Sequence, residues 1–131
     1  MDRKALIRQY KETRRPIGVF RVRNTVNGKS LVGASTDVPS MLNRQRAQLQ
    51  MSVHANRTLQ NDWNVLGSEA FEFEVLDTLT PPERADWDPS EDLRVLEELW
   101  LERLSPFGDR GYNPDPKPQE LFRRKQDSGL S

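Results

Sequence analysis

The sequence predicts a small α/β (α+β) domain, a three-stranded sheet with a hairpin, flanked by helices. Three observations carry this. Residues 17–24 and 30–34 alternate their side chains in strand fashion on either side of an Asn-Gly pair. Residues 71–76 (Phe-Glu-Phe-Glu-Val-Leu) alternate again much later in the chain. Between and after these strands, three stretches repeat apolar residues at the period of a helix. With 131 residues, the chain has the length of one domain.

Residues 2–14 read as an N-terminal helix. Asp2 can cap it, Ala5, Leu6, Gln9 and Tyr10 share one side, and Pro16 stops it. Residues 1–15 are thus a helical extension, residues 16–113 the main domain, and residues 114–131 a proline-rich polar tail. In the tail, Leu121 and Phe122 could form one docked turn. In the first strand Gly18, Phe20 and Val22 share one face, and Val19, Arg21 and Arg23 the other. Asn27-Gly28 predicts a tight turn, because both residues tolerate positive φ. Gly33 inside the second strand predicts a close backbone approach or a bulge.

A helix is expected over 38–51, after Asp37 and with Pro39 in its first turn. Its buried stripe is Val38, Leu42 and Leu49, and Met41, Gln45 and Gln48 form the neighbouring edge. A second helix over 57–66 ends at Gly67. In the third strand Phe71, Phe73 and Val75 point inward, and Glu72 and Glu74 outward. Residues 80–92 read as a long polar loop. Residues 92–104 form the clearest helix, with Leu93, Leu96, Trp100 and Leu104 on one stripe. Glu97 falls on that inward side, while Glu98 and Glu102 point away. An inward carboxylate needs a cation, a hydrogen bond or a metal.

Composition excludes several classes of function. The chain has no cysteine and one histidine. That removes a disulfide framework, a thiolate zinc site, a cysteine nucleophile and a multi-histidine cage. No apolar run approaches the ~20 residues of a membrane span. The first residues lack the apolar core of a signal peptide, so a cytoplasmic location is expected. The net charge of zero conceals +8 over residues 1–66 and −8 over residues 67–131. Such asymmetry suits a basic surface for phosphate, or halves that solvate and pair with each other.

Element order and local motifs together resemble the GIY-YIG nuclease domain over about residues 16–113. Gly18-Val19-Phe20 stands where that family has Gly-Ile-Tyr, and Leu31-Val32-Gly33 where it has Tyr-Ile-Gly. Asn-Thr-Val-Asn-Gly-Lys lies between them. Residues 59–67 and 70–76 are similar to the family's second helix and third strand, Glu-Leu-Trp closes the last helix, and Gly111-Tyr112-Asn113 ends the domain. The pattern also resembles a bacterial subgroup of short GIY-YIG-like proteins associated with LuxR-type transcriptional regulators, in which signature residues are often lost.

The resemblance implies a phosphodiester endonuclease using one divalent metal, Mg²⁺ or Mn²⁺. It implies a metal-binding glutamate, two tyrosines and an arginine. The glutamate position is Glu97, three residues before Trp100. The tyrosine positions hold Phe20 and Leu31, and the arginine position holds Met41. A position often histidine holds Gln45. His54 matches a histidine of some phage members and, following a helix, is expected at the surface. Asn113 matches the terminal asparagine. Two hydroxyls and a guanidinium are therefore missing from a site whose chemistry depends on placed charge. Glu97 fits a metal ligand or a half-buried carboxylate paired with an arginine.

Candidates for phosphate contact are Arg21, Arg23, Lys29, Arg44, Arg46 and Arg57, since guanidiniums fork two donors onto phosphate. Three functional readings are compatible with these residues. One is a catalytically degenerate domain that binds nucleic acid, DNA over RNA. Another is an active metal-dependent endonuclease rebuilt on Glu97. The third is a protein-interaction module. Membrane association is not expected, and the oligomeric state is open.

Overall fold

A computed structural model describes residues 16–84 and 86–115. The expected N-terminal helix, and the tail beyond Asp115, lie outside the described residues. The strands are β1 (Gly18–Asn24), β2 (Ser30–Ser35) and β3 (Phe71–Thr78). They form one antiparallel sheet in the order β2-β1-β3. The helices are α1 (Val38–Gln50), α2 (Arg57–Leu66) and α3 (Ser90–Leu104), and short 3₁₀ turns occupy Ser68–Ala70 and Gly108–Arg110. Among the described residues, no helix is long and apolar enough to cross a membrane.

Local chemistry sets the helix ends. The Asp37 carboxylate accepts the Ser40 N–H at 3.2 Å, satisfying one of the free donors at the start of α1. Asn56 does the same for α2 through the Leu59 N–H, and Gly67 ends α2 with φ +89°. Before α3, the Asp88 carboxylate accepts both the N–H and the hydroxyl of Ser90. This starts α3 two residues earlier than the polar loop suggests. Glu91 and Asp92 then lie in the first turn, where the helix dipole favours negative charge.

The β1–β2 turn corrects one expectation. Only Gly28 takes positive φ, at +80°, and Asn27 does not. The Gly28 N–H donates to Asn24 O and the Asn24 N–H to Lys29 O, which closes a four-residue loop. In that loop a single left-handed position suffices. Asn27 instead accepts the Lys29 N–H with its side chain.

The register places Phe20, Val22 and Asn24 on one sheet face, with Leu31 and Gly33 to one side and Phe71, Phe73 and Val75 to the other. Against this face α1 contributes Leu49, α2 contributes Leu59 and Trp63, and the C-terminal segment contributes Tyr112. The Trp63 ring meets Phe71 at 5.3 Å and Phe73 at 6.2 Å. α3 packs across β1 and β2, and its Trp100 indole donates to Asp77. Val19 and Val32, on the second face, are buried.

Val75 shares the inward face, paired with Phe20, but is not buried as expected: it is 50% exposed, whereas Leu76 is half-buried. The register shifts here, since Val19 pairs with Asp77 but Phe20 with Val75, leaving Leu76 extra. Trp63 and Arg46 both cover Phe73, and Val75 lies one pair further along the edge strand.

The close approach at Gly33 is real. A Cβ there would lie 2.7 Å from the Phe20 ring. The ring therefore needs a bare Cα opposite it. Gly33→Ala is expected to lose about 1–3 kcal/mol of stability in urea unfolding. Most of that loss should disappear when Phe20 is also changed to Leu, and an equal loss in both backgrounds would contradict the packing argument.

Candidate functional site

The outer edge of α1 holds Met41 and Gln45, one helical turn apart and both half-buried. The Gln45 amide N–H donates to the Met41 sulfur at 3.5 Å, and Gln45 Oε1 lies 2.5 Å from His54 Nε2. The other ring nitrogen, His54 Nδ1, accepts the Asn56 N–H at 3.0 Å. An acceptor carries no proton, so the neutral ring is protonated at Nε2 and donates to Gln45. Burial holds the imidazole below its usual value. His54 is thus 5% exposed, not the surface residue expected from its place after a helix. The chain folds back after α1, where the Val53 N–H bonds Gln48 O, and carries the ring under the helix.

Gln60 lies beside this ring, fully buried, and the sequence did not single it out. Its Oε1 accepts the His54 main-chain N–H, and its Nε2 donates to Leu49 O at the end of α1 and to Asn64 Oδ1. One amide therefore joins α1, the connecting loop and α2.

A second polar group is built on the Gly111–Asn113 segment. Tyr112 N–H donates to Ser30 O, adding the segment alongside β2. Asn113 presents its side-chain amide to Val32 like another strand: Oδ1 accepts the Val32 N–H and Nδ2 donates to Val32 O, each at 2.8 Å. The Tyr112 hydroxyl donates to Asp62 at 2.6 Å and accepts from Asn24 Nδ2 at 2.9 Å. Burial and the hydrogen bond to Asp62 push this phenol up to about 12. Asn24 also accepts the Val26 N–H in the hairpin loop. An open cleft of about 630 Å³ lies between this segment and the start of α2, lined by Asn56, Arg57, Thr58, Tyr112 and Asn113.

The remaining positions separate. Phe20 is buried and Leu31 packs against the core. Glu97 is half-buried on α3 and is engaged in an interaction. No group of three or more His, Cys, Asp or Glu side chains able to hold a metal occurs among the described residues. A single carboxylate suits Mg²⁺ only where substrate phosphates and water complete the shell.

The six basic candidates do not act alike. The Arg21 Nε donates to Glu74 at 2.7 Å, and Arg23 lies 4.0 Å from Glu72, so β3 compensates both charges. The Arg46 guanidinium stacks on the Phe73 ring at 4.5 Å. Arg44 and Arg57 are exposed and Lys29 half-exposed, with no ion pair among the described residues.

This arrangement has counterparts among solved structures. The catalytic domain of the homing endonuclease I-TevI superimposes with a TM-score of 0.61 at 24% identity, covering 76% of this chain and 99% of that one. A Glu-to-Ala mutant of the same intron endonuclease domain gives 0.60 at 23% identity, covering 75% and 92%. The fold is GIY-YIG-like. No protein-family model and no curated protein matches the sequence. Within this GIY-YIG-like fold, Gln45 and His54 bond to each other.

Tyr112→Phe tests the polar bridge between hairpin, α2 and C-terminal segment. It leaves the fully buried Asn24 amide without its partner, so about 1–3 kcal/mol of stability should be lost. Thermal unfolding indistinguishable from the parent would show that the bridge contributes nothing.

Proposed function

We propose that this GIY-YIG-fold chain binds nucleic acid, DNA in preference to RNA, without cleaving it. The observation that carries this reading is the closed chain Met41–Gln45–His54. At the positions where the resemblance calls for a guanidinium and a histidine, the side chains are neutral and bonded to one another. Phosphoryl-transfer chemistry relies on charge and donors aimed at the phosphate, and this edge presents neither. The neighbouring structures bear the name of an endonuclease, which favours nucleic acid as ligand.

The binding surface follows from which cations are left over. Arg44 on α1 and Arg57 at the start of α2 are exposed, and Lys29 leads into β2. Arg46, held on Phe73, adds a fixed guanidinium beside α1. Arg21 and Arg23, although basic in sequence, face carboxylates and drop out of this surface.

A second reading, an endonuclease rebuilt on Glu97 with Mg²⁺ or Mn²⁺, is favoured by one observation: Glu97 is half-buried on α3 at the position matching the metal-binding glutamate. In that case Glu97 would supply the one protein carboxylate, and the metal would polarise the phosphate. A third, the interaction module, draws on Val95 and Leu99, exposed on α3 beside Glu91 and Glu102.

Binding of the full chain to labelled duplex DNA, single-stranded DNA and RNA across a salt series tests the first reading. Phosphate contacts release counterions, so affinity should fall steeply with salt. Arg44→Glu combined with Arg57→Glu should weaken duplex binding by about tenfold or more, and flatten the salt slope by roughly one unit per lost contact. Absence of binding, or binding indifferent to salt and to both substitutions, would overturn it.

A further inference from the structure

The three bonds of His54 and those of the Asn56 N–H and side chain form one continuous device. The His54 main-chain N–H is fixed to Gln60, its Nε2–H to Gln45, and its Nδ1 lone pair to the Asn56 N–H. Asn56 in turn caps α2 by accepting the Leu59 N–H at 3.1 Å, and holds the C-terminal segment by donating from Nδ2 to Tyr112 O at 2.6 Å. The residue that reads the imidazole lone pair is therefore also the residue that joins α2 to the Gly111–Asn113 segment.

We infer that His54 is a proton-operated latch: a second ring proton, on Nδ1, frees Asn56 and parts the start of α2 from the Gly111–Asn113 segment. The geometry makes the response one-sided. On protonation, Nε2–H keeps its bond to Gln45, so the α1 side stays in place. Nδ1–H, however, confronts the Asn56 N–H, two donors with no acceptor between them. The turn at 54–56 has to move. With it go the α2 cap and the bond to Tyr112 O, and the cleft beside Arg57 widens.

Nothing around the ring offers the new proton a home. The ring's hydrogen-bond partners are the Gln45 side chain on α1 and the Asn56 N–H in the turn, and Gln60 on α2 holds the His54 main-chain N–H; all are neutral. The charged and titratable groups of the same elements make no hydrogen bond or ion pair with the ring among the described residues. They are Arg44 and Arg46 on α1, Arg57 and Asp62 on α2, and Tyr112 and Asp115 beyond Gly111. Burial already disfavours the charged form. The sign follows: the folded state prefers neutral His54. The latch and its stability are complete above the ordinary imidazole value of about 6.5, and weaken as pH falls below it. The inference does not depend on what the basic surface binds.

The single histidine makes the test clean, because every imidazole signal in the full chain belongs to residue 54. Nitrogen-15 spectra at neutral pH should show the Nε2–H tautomer. Between about pH 8 and about pH 5, backbone amide exchange, corrected for its intrinsic pH dependence, should lose about tenfold protection at Asn56 and Leu59 as the ring titrates. Val22, in the sheet, should keep its protection. In His54→Asn, the side-chain oxygen replaces the Nδ1 acceptor and does not titrate, so protection at Asn56 and Leu59 should no longer respond to pH. Three results would overturn the latch: undiminished protection at both amides through the ring's titration, the same loss in His54→Asn, or an Nδ1–H tautomer at neutral pH. If His54→Asn does not fold, the tautomer and the wild-type exchange profile decide.

Discussion

The hydroxyl of Tyr112 stands between Asn24 and Asp62, and the amide of Asn113 pairs with both backbone groups of Val32. Through these bonds two residues, Tyr112 and Asn113, fix the β1–β2 hairpin, α2 and the free edge of β2. The segment also covers that edge, whose unpaired N–H and C=O groups would otherwise face outward. Its place beside β2 requires a glycine: a Cβ on Gly111 would lie 2.3 Å from Pro106 O. The ring of Tyr112 completes the core under Val22, Leu59 and Phe71. Where this segment sits decides where Asn56, and through it His54, can sit.

The same logic governs the polar groups buried between β1, α1 and α2. Asn24, Gln60 and His54 are buried polar groups, and each is committed to a backbone partner. An unpaired polar group at such depth costs a few kcal/mol, so these partners hold the loops between secondary elements in one conformation. Groups bound this way act as struts. The apolar side chains of β1 and β2 serve the fold as well. Phe20 fills the space that Gly33 leaves, and Leu31 packs against the core.

Short-range chemistry was legible in the sequence. The alternation of β1 and β3, the Asp37 cap, the Gly67 stop and the close approach at Gly33 all appear where the residues predict them, because each depends on neighbours within a few positions. What depended on register or distant partners was hidden. The alternation correctly put Glu72 and Glu74 on the outer face, but only the β1–β3 register sets them beside Arg23 and Arg21. The bulge that leaves Leu76 unpaired beside Val75 is likewise invisible without the paired strand. Asn24 finds Tyr112 across 88 residues, and no local pattern announces that pairing. His54 reads as a surface residue because the turn that buries it is closed by Gln60, six positions later on another helix.

The central claim, that this fold holds its polar site residues for structure and not for phosphodiester cleavage, is tested most directly by a cleavage assay. The full chain and its Glu97→Ala variant should be incubated with labelled single- and double-stranded DNA and RNA, with Mg²⁺ and with Mn²⁺. Intact substrates with both proteins are the predicted result. Metal-dependent cleavage by the parent that disappears in Glu97→Ala would contradict the account and make the chain an endonuclease whose arginine and base lie elsewhere in the fold.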